Sequence, residues 1–234
     1  MKKEKVTAIV LAGGSGKRMG GACKKQYLLL GEKPILYYSL KIFQESCVDE
    51  IILVTNEPEY CTREIIQKYG LDKVTKIVPG GAERYHSVYA GLQAADCDYV
   101  LIHDGARPFV TEAMIDDSLA AARKYQACIV GMLVKDTIKI ADEKEFAAHT
   151  PKRDKVWQIQ TPQTFFYPLI WEAYQKILKE EPMGITDDAM AVEYSNSIGV
   201  KLIRGNYRNI KITTPEDLEI AELFLKKQLT SNHK

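Results

Sequence analysis

The chain has 234 residues, 46% of them hydrophobic, which is enough for one large domain or two small ones to bury a core without disulfide staples. Lysine and arginine total 32 against 31 aspartate and glutamate, so the basic excess of a nucleic-acid groove is missing and we expect no polynucleotide partner. The sequence also lacks a long apolar segment or signal-peptide core, which predicts a cytoplasmic protein that does not enter the membrane.

Short apolar runs recur along the first half of the chain, with helical patterns between them. The first, at 6–11, is unbroken and ends at a glycine cluster, as expected of a parallel strand buried on both faces. Between the runs, apolar residues recur at helical spacing. This alternation predicts an α/β fold with a doubly wound, mostly parallel sheet. Later runs with the same appearance lie at 51–54, 74–78, 99–102 and 128–134.

The alternation of apolar runs with helical patterns stops after the fifth apolar run. Residues 135–160 alternate charged and apolar side chains around Pro151, which predicts an extended arm leaving the main body. The chain returns through 161–163. No internal repeat or Gly/Ser linker interrupts it, so 1–234 is treated as a single domain with an arm at 135–160.

Three more helices are expected before the C-terminus, and the last of them has the clearest start signal. Thr214 can cap it, Pro215 suits its first turn, and Asp217 completes a pattern like a capping box. A frayed tail is expected from Thr230 onward. The other two helices are predicted at 169–178 and 186–194, followed by a strand at 200–203.

The loop after the first run combines glycines with basic side chains. Glycines let successive backbone N–H groups turn inward around an anion, and lysines and arginines supply the countercharge for a polyphosphate. The competing interpretation is a tight turn with solvated lysines. The loop residues are Ala12, Gly13, Gly14, Ser15, Gly16, Lys17 and Arg18, with Lys24 and Lys25 close behind.

This loop matches neither of the two common phosphate-binding motifs. Arg18 follows Lys17 where a Walker motif needs serine or threonine, and Met19 stands where a dinucleotide motif needs glycine. Both an ATPase and a nicotinamide oxidoreductase are therefore disfavoured.

Further chemistry follows the other apolar runs, whose carboxyl ends share one edge of a parallel sheet. Asp104 is either a turn cap or the single carboxylate that Mg²⁺ takes beside substrate phosphates. His103 is more simply a buried structural histidine than a base. Lys211, between two isoleucines, is either a solvated strand lysine or a phosphate ligand.

Two turns complete the set of candidates. Gly80-Gly81, with Ser87 in the following helix, forms a simple turn or reads the edge of a flat base. Thr186-Asp187-Asp188 is most simply a helix N-cap with an acidic first turn, although it could line a pocket. The five cysteines are scattered, without a C-x-x-C pair, and predict neither a disulfide framework nor a structural zinc site.

Taken together, these segments resemble the 2-C-methyl-D-erythritol 4-phosphate cytidylyltransferase family. The glycine loop with Lys25-Gln26 is shared by many nucleotidyltransferases, whereas the arm motif Val-Lys-Asp-Thr-Ile-Lys followed by Arg153 and Trp157 is specific. The resemblance spans nearly the whole chain. Its segments are 11–20 with Lys25-Gln26, Gly80-Gly81 with Arg84 and Ser87, 103–108, 134–139, 160–163, 186–189 and 209–215.

The resemblance implies a Rossmann-like fold, an arm used for homodimerisation, and transfer of a cytidylyl group from CTP to a sugar-alcohol phosphate with Mg²⁺. It implies that Arg18 and Lys25 stabilise the transition state, Asp104 lies at the magnesium, and Lys211 with Arg153 holds the acceptor. The remaining residues that it assigns to CTP are Ala12, Gly13, Gly14, Ser15, Gly16, Lys17, Gly80, Gly81, Arg84 and Ser87. Those that it assigns to the acceptor pocket are Arg107, Thr137, Thr161 and Thr186, with Thr137 and Arg153 supplied by a partner's arm.

The sequence differs from the family pattern at two positions, and two alternative functions stay open. Ala82 stands where the family often has an acid, which puts a side-chain contact to the ribose in doubt, and Lys24 replaces the usual proline. A ribitol-5-phosphate cytidylyltransferase shares most motifs but resembles the arm less. A catalytically silent CTP sensor could lose some of the charged residues that this chain retains together.

Overall fold

Most of the chain is built around β-strands joined by helices. The computed structural model describes residues 3–14, 24–180, 182, 184–195 and 198–231. Ser15, Gly16, Lys17 and Arg18 of the predicted phosphate loop lie outside the described residues. The strands are β1 (Val6–Leu11), β2 (Leu29–Leu30), β3 (Lys33–Pro34), β4 (Glu50–Val54), β5 (Val74–Val78), β6 (Tyr99–Asp104), β7 (Ala127–Leu133), β8 (Ile140–Ala141), β9 (Ala147–His149), β10 (Trp157–Phe166) and β11 (Lys201–Arg204).

The helices lie between these strands and after the last one. Helix α2 is a single turn that continues as a wider π-helical segment over Cys61–Gln67. None of the helices in the described part of the chain is both long and apolar enough to cross a lipid bilayer. The helices are α1 (Ile35–Glu45), α2 (Pro58–Tyr60), α3 (Arg84–Ala94), α4 (Glu112–Tyr125), α5 (Tyr167–Glu180), α6 (Asp188–Ser195) and α7 (Pro215–Ser231).

Seven of the strands form one sheet in the order β11-β7-β10-β6-β1-β4-β5. Strand β1 pairs in parallel with β4 and β6, β4 with β5, and β7 with β11. Strand β10 runs antiparallel to both of its neighbours. The predicted α/β fold with a mostly parallel sheet is therefore confirmed.

Helices cover both faces of this sheet. A cluster of buried apolar side chains lies on each face. Because side chains alternate along a strand, Ala8 and Val10 of β1 belong to the first cluster and Ile9 belongs to the second. Helices α1 and α4 pack into the first cluster, and α3, α5 and α6 into the second. Gly91 lets α3 lie close to β1, since a Cβ there would meet Ile9 Cγ2 at 2.6 Å. This close packing places the N-terminus of α3 beside the loop that follows β1.

The point at which the strand order reverses lies at β1. From β1 the chain builds β4 and β5 on one side and then crosses to β6 on the other side. A crevice opens at such a switch point, outside the carboxyl ends of the strands, and it is where open α/β sheets bind their ligands. Here the crevice receives the residues that follow β1, β4 and β6.

Strand β10 corrects the predicted boundaries of the arm. The sheet resumes at Trp157, so the last four residues of the predicted arm, 157–160, and the return segment 161–163 belong to a central strand. Pro162 concealed this strand, because proline lacks the N–H that a central strand needs. The structure accommodates Pro162 at an irregularity in the pairing with β7 between Ile159 and Gln163. The excursion from the sheet is accordingly shorter, and its residues 139–150 are exposed.

The C-terminal helix begins as predicted. The Asp217 carboxylate accepts hydrogen bonds from the Thr213 N–H at 2.8 Å and from the Thr214 N–H at 2.9 Å, and α7 starts at Pro215. Caps of this kind stabilise a helix by about 1 kcal/mol. Thr230, expected in a frayed tail, is still helical.

Candidate functional site

A cavity of about 430 Å³ lies at the carboxyl ends of the parallel strands. It brings together segments that are far apart in the sequence: the loop after β1, the N-terminus of α3, the end of β6 and the segment before α7. The predicted site residues that line it are Ala12, Gly13, Gly14, Lys25, Gly81, Arg84, Ser87, Asp104 and Lys211.

One wall of the cavity is the glycine loop with its neighbouring lysine. Gln26 is buried, and its Nε2 donates hydrogen bonds to the carbonyl oxygens of Ala12 at 2.6 Å and Gly14 at 3.3 Å. These two hydrogen bonds hold the 3₁₀ turn Lys25–Tyr27 against the glycine loop and keep Lys25 at the cavity. Lys24 instead forms an ion pair with Glu57 at 2.5 Å and is not among the lining residues.

The second glycine turn adjoins the first. The backbones of Gly13 and Gly80 approach so closely that a Cβ on Gly80 would lie 3.3 Å from Gly13 Cα. Asn56, directly beyond β4, accepts a hydrogen bond from the Gly80 N–H at 2.8 Å, and Ser87 Oγ accepts one from the Gly81 N–H at 3.0 Å. The two turns therefore lie against each other and expose a continuous surface of backbone groups.

The floor of the cavity is a carboxylate surrounded by cations. Asp104 Oδ2 lies 2.9 Å from Lys211 Nζ and 3.6 Å from Arg107 Nε, and Asp104 Oδ1 lies 3.5 Å from Arg84 Nε. Burial alone would raise the pKa of Asp104, but these three cations lower it well below its usual range. Asp104 is therefore ionised at every physiological pH.

Arg84 is held from its other side by a fully buried carboxylate. Its Nη1 and Nη2 donate to Asp188 Oδ1 and Oδ2, each at 2.8 Å, and the Tyr174 hydroxyl donates to Asp188 Oδ1 at 2.6 Å. Asp188 is 0% exposed. Burial alone would lower the pKa of Arg84, but Asp188 and Asp104 raise it well above its usual range, so the guanidinium stays charged.

His103 is a buried structural residue, as predicted. Its Nε2 lies 3.2 Å from the carbonyl oxygen of Arg107, which only accepts, so Nε2 carries the proton and Nδ1 accepts from the Thr161 hydroxyl at 2.9 Å. Thr161 Oγ1 accepts in turn from the Asp104 N–H at 3.1 Å. This chain of hydrogen bonds fixes the backbone at the end of β6, and with it the position of the Asp104 carboxylate.

This burial makes folding stability depend on pH. Burial lowers the pKa of His103 to about 4. An unfolded histidine titrates near pH ~6.5, so between these values the unfolded chain binds the extra proton and the stability falls as the pH falls. We expect His103 to remove about 3 kcal/mol across this window. Denaturant titrations at several pH values would measure the loss, and His103→Asn should flatten it; equal slopes for both proteins would contradict the assignment.

The other predicted acceptor residues are distributed differently. Arg107 donates to the carbonyl oxygens of Asn209 at 2.8 Å and Ile159 at 3.4 Å, so its guanidinium is held by the backbone. Thr186 is exposed and its hydroxyl lies 3.0 Å from Met190 Sδ. Thr137 and Arg153 are exposed on the 135–156 excursion and do not line the cavity of their own chain.

Four polar residues in or beside the site had no individual role predicted from the sequence: Gln26, Asn56, Gln163 and Asp188. Asn56 lies two residues after the end of β4, so the rule that located Asp104 could have found it. Asp188 was interpreted as part of an acidic helix start that could also line a pocket, and Asp187 does cap α6, accepting from the Met190 N–H at 2.9 Å. Nothing local in the sequence distinguishes the second acid from the first.

Two carboxylates, Asp104 and Glu83, are among the described residues that line the cavity, and Asp104 is the one that lies among the cations. In the part of the chain that is described, no three or more His, Cys, Asp or Glu side chains cluster where they could hold a metal ion together. Asp104 is ionised and borders the cavity. One carboxylate combined with substrate phosphates and waters is a normal environment for Mg²⁺, so the residues present fit that ion.

The fold and the cavity together define an α/β protein with a ligand cavity at the switch point of its sheet, bordered by two glycine turns and a cation-rich floor. Comparison with known proteins gives the family. Residues 6–227 match the family model of 2-C-methyl-D-erythritol 4-phosphate cytidylyltransferase. The chain therefore belongs to this family.

Individual relatives agree with the family model. Two are named 2-C-methyl-D-erythritol 4-phosphate cytidylyltransferase. The protein from Lachnoclostridium phytofermentans is 50% identical to this chain, covering 95% of this chain and 97% of its own length. The protein from Lachnospira eligens is 52% identical, covering 94% of this chain and 99% of its own length. The crystal structure of 4-diphosphocytidyl-2C-methyl-D-erythritol synthase from Anaerococcus prevotii is 37% identical with a TM-score of 0.84, covering 95% of this chain and 99% of that one. The cytidylyltransferase from Thermus thermophilus is 28% identical with a TM-score of 0.79, covering 95% and 99%.

Proposed function

We propose that the cavity binds CTP and a sugar-alcohol phosphate. The protein is a cytidylyltransferase that transfers the cytidylyl group from CTP to 2-C-methyl-D-erythritol 4-phosphate and releases pyrophosphate, in non-mevalonate isoprenoid precursor biosynthesis. The observation that carries this proposal is the cavity itself, in which Lys25, Arg84, Lys211 and Asp104 converge beside two glycine turns. A triphosphate and a phosphate monoester need such a combination of cations and backbone amides.

The chemistry requires no general base. A phosphate monoester has its second pKa near ~6 and is largely a dianion at neutral pH, so its oxygen can attack the α-phosphorus of CTP directly. The new bond forms from that oxygen to the α-phosphorus, and the bond from the α-phosphorus to the bridging oxygen breaks, with pyrophosphate leaving. Repulsion between two anions is the main obstacle. Lys25 and Arg18 would offset the charge that develops on the transferring group, and Lys211 would hold the acceptor phosphate.

Asp104 would hold Mg²⁺ together with oxygens of the triphosphate. The ion supplies neutralisation of phosphate charge when it is bound. In the free protein Lys211 Nζ lies 2.9 Å from Asp104 and stabilises its carboxylate. A bound acceptor phosphate would compete with Asp104 for this lysine.

The nucleotide half of the cavity is assigned from the two adjoining glycine turns. Backbone groups of Gly80 and Gly81 and the Ser87 hydroxyl would read cytosine, and Ala12, Gly13 and Gly14 would lie along the nucleotide. The same role for Ser15, Gly16 and Lys17 stays a prediction from the sequence. Ala82 cannot supply a side-chain hydrogen bond to the ribose, since alanine has no polar side-chain atom.

The acceptor half needs a second copy of the chain. Arg107, Thr161 and Thr186 belong to the same chain as Lys211, whereas Thr137 and Arg153 lie on the 135–156 excursion, away from its own cavity. We propose that two chains exchange these excursions in a two-fold homodimer, so that each cavity receives Thr137 and Arg153 from the partner. A cytoplasmic location also stays a prediction from the sequence.

Substrate comparison tests the function. We expect pyrophosphate release with CTP, 2-C-methyl-D-erythritol 4-phosphate and magnesium, much slower release with UTP, ATP or GTP, and none in excess EDTA. Ribitol 5-phosphate in place of the acceptor tests the nearest rival. Equal turnover with UTP, preference for ribitol 5-phosphate, or CTP binding without turnover would each contradict the proposal.

A further inference from the structure

The geometry points to Asp188 as a positioning residue that holds Arg84 away from Asp104 and so keeps one oxygen of Asp104 open to the cavity. This inference rests on the proposed function, because the open oxygen matters only if the cavity takes a cation-bearing triphosphate. It concerns a buried carboxylate that does not line the cavity and takes no part in the transfer chemistry.

The first observation is how Arg84 divides its donors between two carboxylates. Its two terminal nitrogens are both committed to Asp188 at 2.8 Å, the geometry of a strong bidentate pair. Its Nε is 3.5 Å from Asp104 Oδ1, an electrostatic contact rather than a hydrogen bond. The guanidinium therefore lies beside Asp104 without capping it.

The second observation is that Asp188 is itself rigidly anchored. The Tyr174 hydroxyl donates to its Oδ1 at 2.6 Å, and both residues are 0% exposed. Gln163 Oε1, from β10, accepts from the backbone N–H groups of Asp188 and Ala189 at 3.0 Å each. Asp188 therefore has one available position, and the bidentate pair transfers that position to Arg84.

The third observation is the state of the Asp104 carboxylate. Its Oδ2 faces Lys211 and Arg107, whereas Arg84 is the cation paired with Oδ1 among the described residues, at 3.5 Å. If Asp188 lost its charge, the strongest remaining anion beside Arg84 would be Asp104. The guanidinium would then turn onto Asp104 and occupy both of its oxygens, which is the arrangement that arginine and carboxylates prefer.

The test compares two variants by the magnesium concentration at which CTP binding is half-maximal. Asp188→Asn should raise this concentration by about tenfold, as measured by isothermal titration calorimetry of CTP at several concentrations of magnesium chloride, in the range of coupling between contacting charged groups. Adding Arg84→Met to Asp188→Asn should return it to near the wild-type value, because no guanidinium remains to cover Asp104, although CTP binding at saturating magnesium should weaken with the loss of a cation assigned to CTP. An unchanged magnesium requirement in Asp188→Asn, or a double variant that needs as much magnesium as the single one, would overturn the inference.

Tyr174→Phe is the matched control for a merely structural role. It removes one hydrogen bond to Asp188 but leaves the carboxylate and its pair with Arg84, so the melting temperature should fall while the dissociation constant for CTP stays within about twofold. A loss of CTP binding in proportion to stability in all variants would also overturn the inference. If Asp188→Asn does not fold, Arg84→Lys, which cannot form the two-point pair with Asp188, should raise the magnesium concentration needed for half-maximal CTP binding, and an unchanged requirement would count against the inference. Turnover by the wild-type protein separates this result from failure of the proposed function.

Discussion

Lys25→Ala should lower kcat by about a hundredfold or more, with a smaller change in KM. Removing one preorganised charge that faces the developing charge of a transition state costs roughly 3 to 4 kcal/mol. Lys25 borders the cavity, and the hydrogen bonds of its neighbour Gln26 hold this segment against the glycine loop. The position of Lys25 is therefore set by the protein before substrate arrives. Arg18→Ala should behave in the same way. Steady-state kinetics with both substrates varied would separate kcat from KM.

Lys24→Ala is the matched control for this experiment. It removes the same charge one residue earlier in the chain, at a side chain that pairs with Glu57 at 2.5 Å and does not line the cavity. We expect its kcat to stay within about threefold of the wild-type value, as for a surface ion pair. Equal losses in the two variants would show that general positive charge, and not the placement of Lys25, supports the reaction.

Mixing Lys25→Ala and Arg153→Ala protomers should restore activity that neither variant has alone. In the proposed dimer each cavity uses Lys25 of one chain and Arg153 of the other, so a mixed dimer has one cavity with both residues and one with neither. Equal mixing after unfolding makes about half of the dimers mixed, and activity should return to about a quarter of the wild-type value per protomer. Native mass spectrometry would establish that mixed dimers form.

The control for complementation pairs two residues of the same cavity. Lys25 and Lys211 both line the cavity of one chain. A mixed dimer of Lys25→Ala with Lys211→Ala therefore lacks one lysine in each cavity and should recover no activity. If the Arg153 pairing also recovers none although mixed dimers are present, Arg153 serves its own chain or has no role in the reaction.

The parts of the fold that could be predicted from the sequence depend on local physics. An unbroken apolar run at 6–11 predicts a strand buried on both faces, and the structure has β1 at those residues. The start of α7 follows from a cap, a proline and an acid within four consecutive positions, 214–217, whose backbone contacts do not depend on the rest of the chain. The parallel order of strands then predicts which loops meet, and Asp104 and the glycine loop do border one cavity.

The parts that could not be predicted depend on contacts between distant segments. Strand β10 contains Pro162, which argues against a central strand unless the pairing is interrupted at that position, and only the neighbouring strand decides that. Lys24 and Lys25 are adjacent and chemically alike, yet one pairs with Glu57 and the other borders the cavity. Their different environments arise from which elements pack beside them.

Arg84 and Asp188 show the limit most clearly. Local patterns predict that Arg84 follows a glycine turn at a helix start and that two acids begin another helix. That Arg84 and Asp188, 104 positions apart, meet in a buried pair is visible only in the folded chain. Their pairing depends on the packing of α3 and α6 against the same face of the sheet, and no hydrophobic period or capping pattern in either segment contains that information.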